Sequence, residues 1–420
     1  DPYLNGTFWW MTTTSNWNAV CTDGVVAAAL LADFDAQTRV RVLHKAFQSV
    51  HHFLSGFTPD GGCTEGPGYW SYGVSNYCSL AYWVHCATGG KIDLLADPLV
   101  PRVLGYPTGI VLSGSKVAAF ADCPLEVRFR SGAVAWAAEQ ARVPEMTALA
   151  SGGRTSRAAF TAALDVCLLP EPRDFAPPED RFLPDLMLLV ARGGGAEGGQ
   201  LVLAVKGGHN NEHHNHNDVG AFIVHWQGES LICDLGAGNY TRQLFGPERY
   251  ELLSTRSCGH NVPLVNGIEQ ATGRDFRAAD FKLDERPGAI GVSMELAGAY
   301  PAGAGLRSLG RCVTLNRAGD ESVELVDHVV FAGDARRYEL PLYTEGTFEA
   351  VGEGLVQARA NDAAIGLEFD PEVVEAEIEM VAHGDARFAR HFGDELPRCT
   401  LRLRGSPQQA TVRLRFVPVR

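Results

Sequence analysis

Several things are missing from this sequence, and each absence narrows what the chain can be. No Cys-x-x-Cys pair occurs among its ten cysteines, which argues against a thiolate zinc site. No run of about 18 apolar residues exists, so no membrane-spanning helix and no membrane partner are expected. Positive charge is short: 36 Lys and Arg stand against 50 Asp and Glu, a net charge of −14. That excludes a nucleic-acid partner, which needs a basic face. It also means that any acidic substrate must be met by local donors, since the overall field repels it. There is no internal repeat of 20–50 residues, no long low-complexity segment, no signal peptide and no initiating methionine, so a processed or trimmed chain is expected. The cysteines, at 21, 63, 78, 86, 123, 167, 233, 258, 312 and 399, are scattered, several of them inside apolar runs. They read as buried free thiols, which leans toward a reducing compartment, the cytoplasm. The periplasm or the exterior stays open if an N-terminal segment has been removed.

What is present changes character along the chain. With 420 residues there is room for two domains and a large core. The first part carries helical patterns at 24–32, 37–54, about 74–86, 131–142 and 156–168, with a Gly- and Pro-rich loop over 55–72 and a broken stretch over 101–115. Four prolines between Pro170 and Pro178 mark a linker. Beyond them, β-branched and alternating runs recur from 186 to 417 with turn residues between them. The reading is a helical domain over 1–170, a linker over 171–184 and an antiparallel, sandwich-like β domain over 185–420.

The densest chemistry lies in Gly207-Gly-His-Asn-Asn-Glu-His-His-Asn-His-Asn-Asp-Val-Gly220, between the apolar runs Leu201–Val205 and Val219–Trp226. Four of the thirteen histidines, His209, His213, His214 and His216, fall in this loop beside Glu212 and Asp218. Neutral imidazole and carboxylate suit a borderline metal such as zinc. Asp234, closing Leu231-Ile-Cys-Asp234, and His260, in Ser257-Cys-Gly-His-Asn261, continue the candidate ligands. A solvated, histidine-rich loop without a specific site is the competing reading from composition.

His214-Asn-His-Asn-Asp-Val-Gly-Ala-Phe222 resembles the signature of the heparinase II/III-like polysaccharide lyases. The resemblance extends through Leu231-Ile-Cys-Asp-Leu-Gly236 and Arg256-Ser-Cys-Gly-His-Asn261, and more loosely to Ser15-Asn-Trp-Asn18 and Pro59-Asp-Gly-Gly-Cys-Thr-Glu-Gly-Pro-Gly-Tyr69. It implies an incomplete α/α toroid followed by an antiparallel β-sandwich, with the active site between them. The family usually has more helices upstream than fit before residue 170, so a missing N-terminal segment is expected. It implies one zinc per chain on His216, Asp234 and His260, either structural, fixing the loop that carries His214, or catalytic. It also implies β-elimination on a uronic-acid glycan, with an acidic oligo- or polysaccharide as partner; association into a homodimer is left open.

Such a lyase removes the C5 proton and expels the C4 oxygen, so it needs carboxylate neutralisation, a base and an acid. By resemblance Tyr69 is the acid, with Tyr72 three residues on as the runner-up. Asn16 contacts the substrate carboxylate, and His214 contacts the substrate or moves a proton. Asn18, Trp17, Glu65, Tyr240, Tyr250, Arg249 and Arg256 are candidate substrate contacts. Trp17 stands where several relatives carry histidine. That departure keeps a second function open: a catalytically inactive carbohydrate-binding protein on the same scaffold. A metal-dependent hydrolase lacks an evident pair of catalytic carboxylates.

Overall fold

The computed structural model describes residues 2–152, 164–165, 167–178, 180–195 and 200–419. Two compact units are present: Asp1–Val111 with Glu126–Pro178, and Leu112–Leu125 with Glu179–Arg420.

The first unit is helical, built on Asn16–Leu31, Ala36–Leu54, Pro67–Thr88, Val100–Ile110, Gly132–Gln140 and Pro144–Ser151. Ala36–Leu54 follows its pattern closely: Asp35 caps it by accepting from the Thr38 N–H at 2.8 Å, and Val42, Ala46, Val50 and Phe53 bury one stripe. Two boundaries differ from the sequence reading. The helix expected over 24–32 begins at Asn16 instead, because its opening turns bury polar side chains, Asn16, Asn18, Thr22 and Asp23, which apolar periodicity does not register. The loop expected over 55–72 ends at Gly66, whose φ of 84° starts a helix with Pro67 in its first turn. Tyr69 and Tyr72 are therefore helical. The stretch read as broken over 101–115 holds the helix Val100–Ile110, with Pro107 inside it. The helix expected over 156–168 falls largely outside the described residues.

The second unit is made of antiparallel sheets. Five strands pair in the order Asp180–Leu183, Leu188–Arg192, Val202–Lys206, Phe222–Trp226 and Glu229–Ile232. Leu188–Arg192 and Phe222–Trp226 are buried throughout, which is why they read as continuous apolar runs rather than alternating ones. An eight-stranded sheet runs from Ala279–Arg286 at one edge to Thr347–Gly352 at the other. A four-stranded sheet joins Val374–Ala382, Glu395–Leu403, Tyr338–Tyr343 and Leu264–Val265. One core takes side chains from all three: Leu203 and Phe222 from the first, Val292, Leu325 and Phe416 from the second, Leu340 and Leu401 from the third.

Inside it, Arg311 forms a two-pronged pair with Asp327, at 2.9 and 2.6 Å, and donates from Nη1 to the carbonyls of Gly220 at 2.8 Å and Asn261 at 3.1 Å. A buried guanidinium is tolerated when its donors are filled in this way. Here it also fixes the backbone next to two site loops. Residues 112–125, assigned with the helices by their position in the sequence, pack with the sheets. All ten cysteines are free thiols and five are buried. Among the described residues no helix is long and apolar enough to cross a membrane.

Candidate active site

The histidine loop is held at both ends. Lys206 bridges to the loop's exit, its N–H donating to the Ala221 carbonyl at 2.9 Å and its carbonyl accepting from Gly220 N–H at 3.0 Å. Gly220 has φ of 92°, and a β-carbon there would come 2.8 Å from Leu296, so only glycine fits. Gln270 clamps the exit: it accepts from Val219 N–H at 3.0 Å, donates to the Val219 carbonyl at 2.7 Å and receives the Asn210 amide at 3.1 Å. Asn215 accepts from the Glu212 N–H and donates to Tyr250, while the Asn217 amide donates to the Gln270 carbonyl. The asparagines of the motif thus hold the loop's shape.

Within this frame the structure gathers His216, Asp234 and His260, all fully buried, with one ligand atom from each within 4.8 Å of the others. Asp234 follows the strand Glu229–Ile232 and accepts from the Gly236 N–H at 2.9 Å. His260 is placed by its neighbour: the Asn261 amide donates to the Phe222 and Cys233 carbonyls, both at 2.8 Å.

The hydrogen bonds suit a metal. His260 Nε2 faces the Ser254 carbonyl at 3.1 Å, which can only accept, so that nitrogen carries the proton and Nδ1 turns to Asp234 at 2.8 Å. His216 Nε2 lies 2.9 Å from the Asp122 carboxylate, and its Nδ1 is buried with no hydrogen-bond partner. Each histidine therefore gives one N–H to an oxygen and keeps the other nitrogen for the cluster, the usual outer arrangement of metal-ligating imidazoles. A buried nitrogen without a partner calls for an explanation, and a cation supplies one. Burial and the neighbouring imidazole favour neutral His216, against the pull of Asp122, and its pKa is lowered. Burial opposes the charged form of His260 too, but Asp234 outweighs it and the pKa is raised.

The cluster has a member the sequence reading missed. Asp122 sends Oδ1 to His216 and Oδ2 to His214 Nδ1, both at 2.9 Å, with Arg249 at 3.4 Å. Burial works against its ionisation, yet the two histidine hydrogen bonds and the Arg249 charge hold its carboxyl well below the usual range. The available signal was one carboxylate at the end of the apolar run Val117-Ala-Ala-Phe-Ala121: a charge in such a run is buried only with partners. His214 adopts φ of 56°, a strained conformation for a side-chain-bearing residue and a common mark of functional loops.

The other candidates divide. Arg249 donates to the carbonyls of Asn215 and Leu244 besides Asp122, so it buttresses the loop and is not a free carboxylate binder. Arg256 is committed to Glu269 through three contacts of 2.5–3.2 Å. Tyr250 meets Asn215, and Tyr240 is exposed with Arg387 over its ring. His225 is a core histidine between Ser113 and Ser230, its pKa pushed down to about 3 by burial and by the Lys116 and Arg192 charges.

In the helical unit, Asn16 is the first residue of the Asn16–Leu31 helix, and Ser15 occupies the capping position. The buried Asn16 amide reaches Glu65 Oε2 at 3.4 Å. Asn18 is fully buried and its amide donates to the Trp10, Met11 and Ser49 carbonyls; its part is structural, in place of the substrate contact expected of it. Trp17 is exposed with its ring edge against Trp9. Tyr69 is half-buried, and Tyr72 lies one turn on along the same helix, exposed. Trp70 anchors that helix by donating to the Val103 carbonyl at 2.8 Å.

A helical unit and a unit of antiparallel sheets, with a buried His–Asp–His cluster on the sheet loops, define a protein with a metal-competent loop centre. The chain belongs to the heparinase II/III-like family: the family's C-terminal region matches residues 178–394, which include His214, His216, Asp234 and His260. Its fold is similar to that of heparan sulfate lyase HepC from Pedobacter heparinus, with a TM-score of 0.68 at 12% identity over 94% of this chain and 59% of that one. It is also similar to the heparinase III-BT4657 gene product, with a TM-score of 0.72 at 12% identity over 96% of this chain and 60% of that one. The chain thus spans about 60% of the length of these proteins. No curated protein matches it by sequence.

Proposed function

We propose that this protein is a polysaccharide or oligosaccharide lyase that cleaves uronic-acid glycans by β-elimination, on an incomplete α/α toroid joined to a β-sandwich. The observation that carries the reading is the convergence of His216, Asp234 and His260 within the family-matched region. Zinc is the cation that two imidazoles and one carboxylate favour, with a fourth position left open. When bound, it supplies a fixed positive centre that holds the His214 loop.

The chain's own residues do the rest. The Asn16 amide, steadied by Glu65, donates to the substrate carboxylate as charge moves onto it during C5 proton removal. Tyr69 gives its hydroxyl proton to the leaving C4 oxygen. His214 has Nδ1 committed to Asp122, so its Nε2 is the atom that takes the C5 proton, whose electron pair forms the C4–C5 double bond as the C4 oxygen leaves. Trp17, exposed beside Trp9, offers an apolar face to a sugar ring.

The test is incubation with heparan sulfate, hyaluronan, alginate and their oligosaccharides, read by the ultraviolet absorbance of the new C4–C5 double bond. Absorbance growth with one class supports the lyase and names the glycan. Binding to a glycan with no absorbance change overturns the lyase reading in favour of an inactive carbohydrate-binding protein, the alternative suggested by Trp17 at the usual histidine position.

A further inference from the structure

We propose that Asp122 is a positioning residue that gives the two histidines of the His214-Asn-His216 pair different tasks by holding one ring with each carboxylate oxygen. The inference rests on the metal-bearing reading of the site and goes beyond its three ligands.

Two rings two residues apart in one loop would by themselves have no reason to differ. Asp122 makes them differ. Its Oδ1 accepts a hydrogen bond from His216 Nε2–H, so the other nitrogen, Nδ1, buried and without a partner, is the one that can ligate. Its Oδ2 accepts a hydrogen bond from His214 Nδ1–H, so in that ring Nε2 is the unprotonated nitrogen instead. The two histidines are thus opposite tautomers, set by one carboxylate.

The placement of Asp122 is built in rather than incidental. Ala121 before it has φ of 60°, and the Cys123 N–H turns back to the Ala121 carbonyl at 2.7 Å. The Cys123 carbonyl then accepts from Ala237 N–H at 2.9 Å. Gly236, two residues past Asp234, has φ of 63°, and a β-carbon on it would come 2.4 Å from that same carbonyl oxygen. The Asp122 turn is therefore docked on the loop that carries Asp234, at a contact only glycine allows. Arg249, which holds the Asn215 carbonyl between the two histidines, also reaches Asp122 Oδ2. The ligand loop, the histidine loop and the Asp122 turn close on one carboxylate.

The experiment uses the full chain stripped of metal and histidine-labelled with nitrogen-15. Ring nitrogen shifts should show His216 protonated on Nε2 and His214 on Nδ1, assigned with His214→Gln and His216→Gln. In Asp122→Asn, one amide oxygen can accept from only one ring, so one histidine should change tautomer. Zinc affinity, measured by competition with a chromogenic chelator, should fall 10–100-fold in Asp122→Asn and Asp122→Ala, the usual cost of removing such an outer partner. Gly236→Ala, which leaves Asp122 in place chemically but displaces its turn, should weaken zinc binding in the same direction. Like tautomers in the unmodified protein, or wild-type zinc affinity in both Asp122 variants, would overturn the proposal. If the unmodified protein binds no zinc, the metal reading fails, while the tautomer pattern still decides whether Asp122 splits the pair.

Discussion

His260 places Nδ1 2.8 Å from Asp234 Oδ2 while its Nε2 faces the Ser254 carbonyl at 3.1 Å. With Nε2 protonated, Nδ1 and the carboxylate oxygen are two electron-rich atoms pointing at each other. Something positive must lie between them, either a proton or a metal. A metal would also give the nearby partnerless Nδ1 of His216 a partner, which a proton on His260 does not.

Zinc is therefore expected at about one equivalent per chain in protein purified without chelator, by the three-ligand stoichiometry of such sites. Removing it should lower the thermal midpoint, because a ligand that binds only the folded state stabilises it by mass action. Elemental analysis and melting with and without chelator are the measurements. Absence of zinc, or its full retention in Asp234→Ala, would be incompatible with this assignment.

Turnover is expected to depend on Tyr69. Tyr69→Phe keeps the ring and removes the proton donor, and loss of an acid–base group lowers the rate by about 10²–10⁴. Tyr72, exposed one turn further along the helix, is the control. A Tyr69→Phe variant with unchanged rate and an inactive Tyr72→Phe variant would move the role along the helix.

The sequence reading succeeded where the signal was local. The Leu188–Arg192 and Phe222–Trp226 strands are buried on both faces, so their apolar runs are unbroken, and the loop between strands announces itself by histidine density. Reading failed where a residue's meaning is set by distant partners. Asp122 lies 92 residues before His214, in a stretch that leaves the helical unit for the sheets. Asn18 looked like a substrate group because a buried amide on three carbonyls and an exposed one are spelled the same way. Tyr69 was expected on a loop since the glycines before Pro67 hide that Gly66 begins a helix.

Asn16 is expected to act on the rate more than on binding. Its amide is neutral and donates to a carboxylate without a second charge to desolvate, and its benefit grows as charge develops in the transition state. Asn16→Ala should lower kcat with little change in KM, the pattern of an interaction made mainly in the transition state. Steady-state kinetics decides it: a change in KM alone would make Asn16 an ordinary binding residue, and a change in thermal stability alone would leave it a structural one beside Glu65.

Stability should depend on pH through Asp23, which is far in kind from the loop chemistry. It is fully buried in the Asn16–Leu31 helix, with the Ser79 hydroxyl as the polar group beside its carboxylate. Burial raises its pKa to about 7, moderated by the Ser79 hydroxyl. In the unfolded chain an aspartate titrates near pH 3.9. Between about 4 and 7 the folded state therefore holds a proton that the unfolded state has released. The stability associated with this group is complete below about pH 4, falls as pH rises through about 7, and is flat above. The total loss is on the order of 4 kcal/mol. Other carboxylates titrate in the same range, so the readout is a difference: urea unfolding of the unmodified protein and of Asp23→Asn, from pH 4 to pH 8. The variant, isosteric and unable to ionise, should lack this part of the slope and gain on the unmodified protein as pH rises. Parallel curves would mean that Asp23 ionises as readily in the fold as out of it, and that its burial is relieved by partners the fold provides.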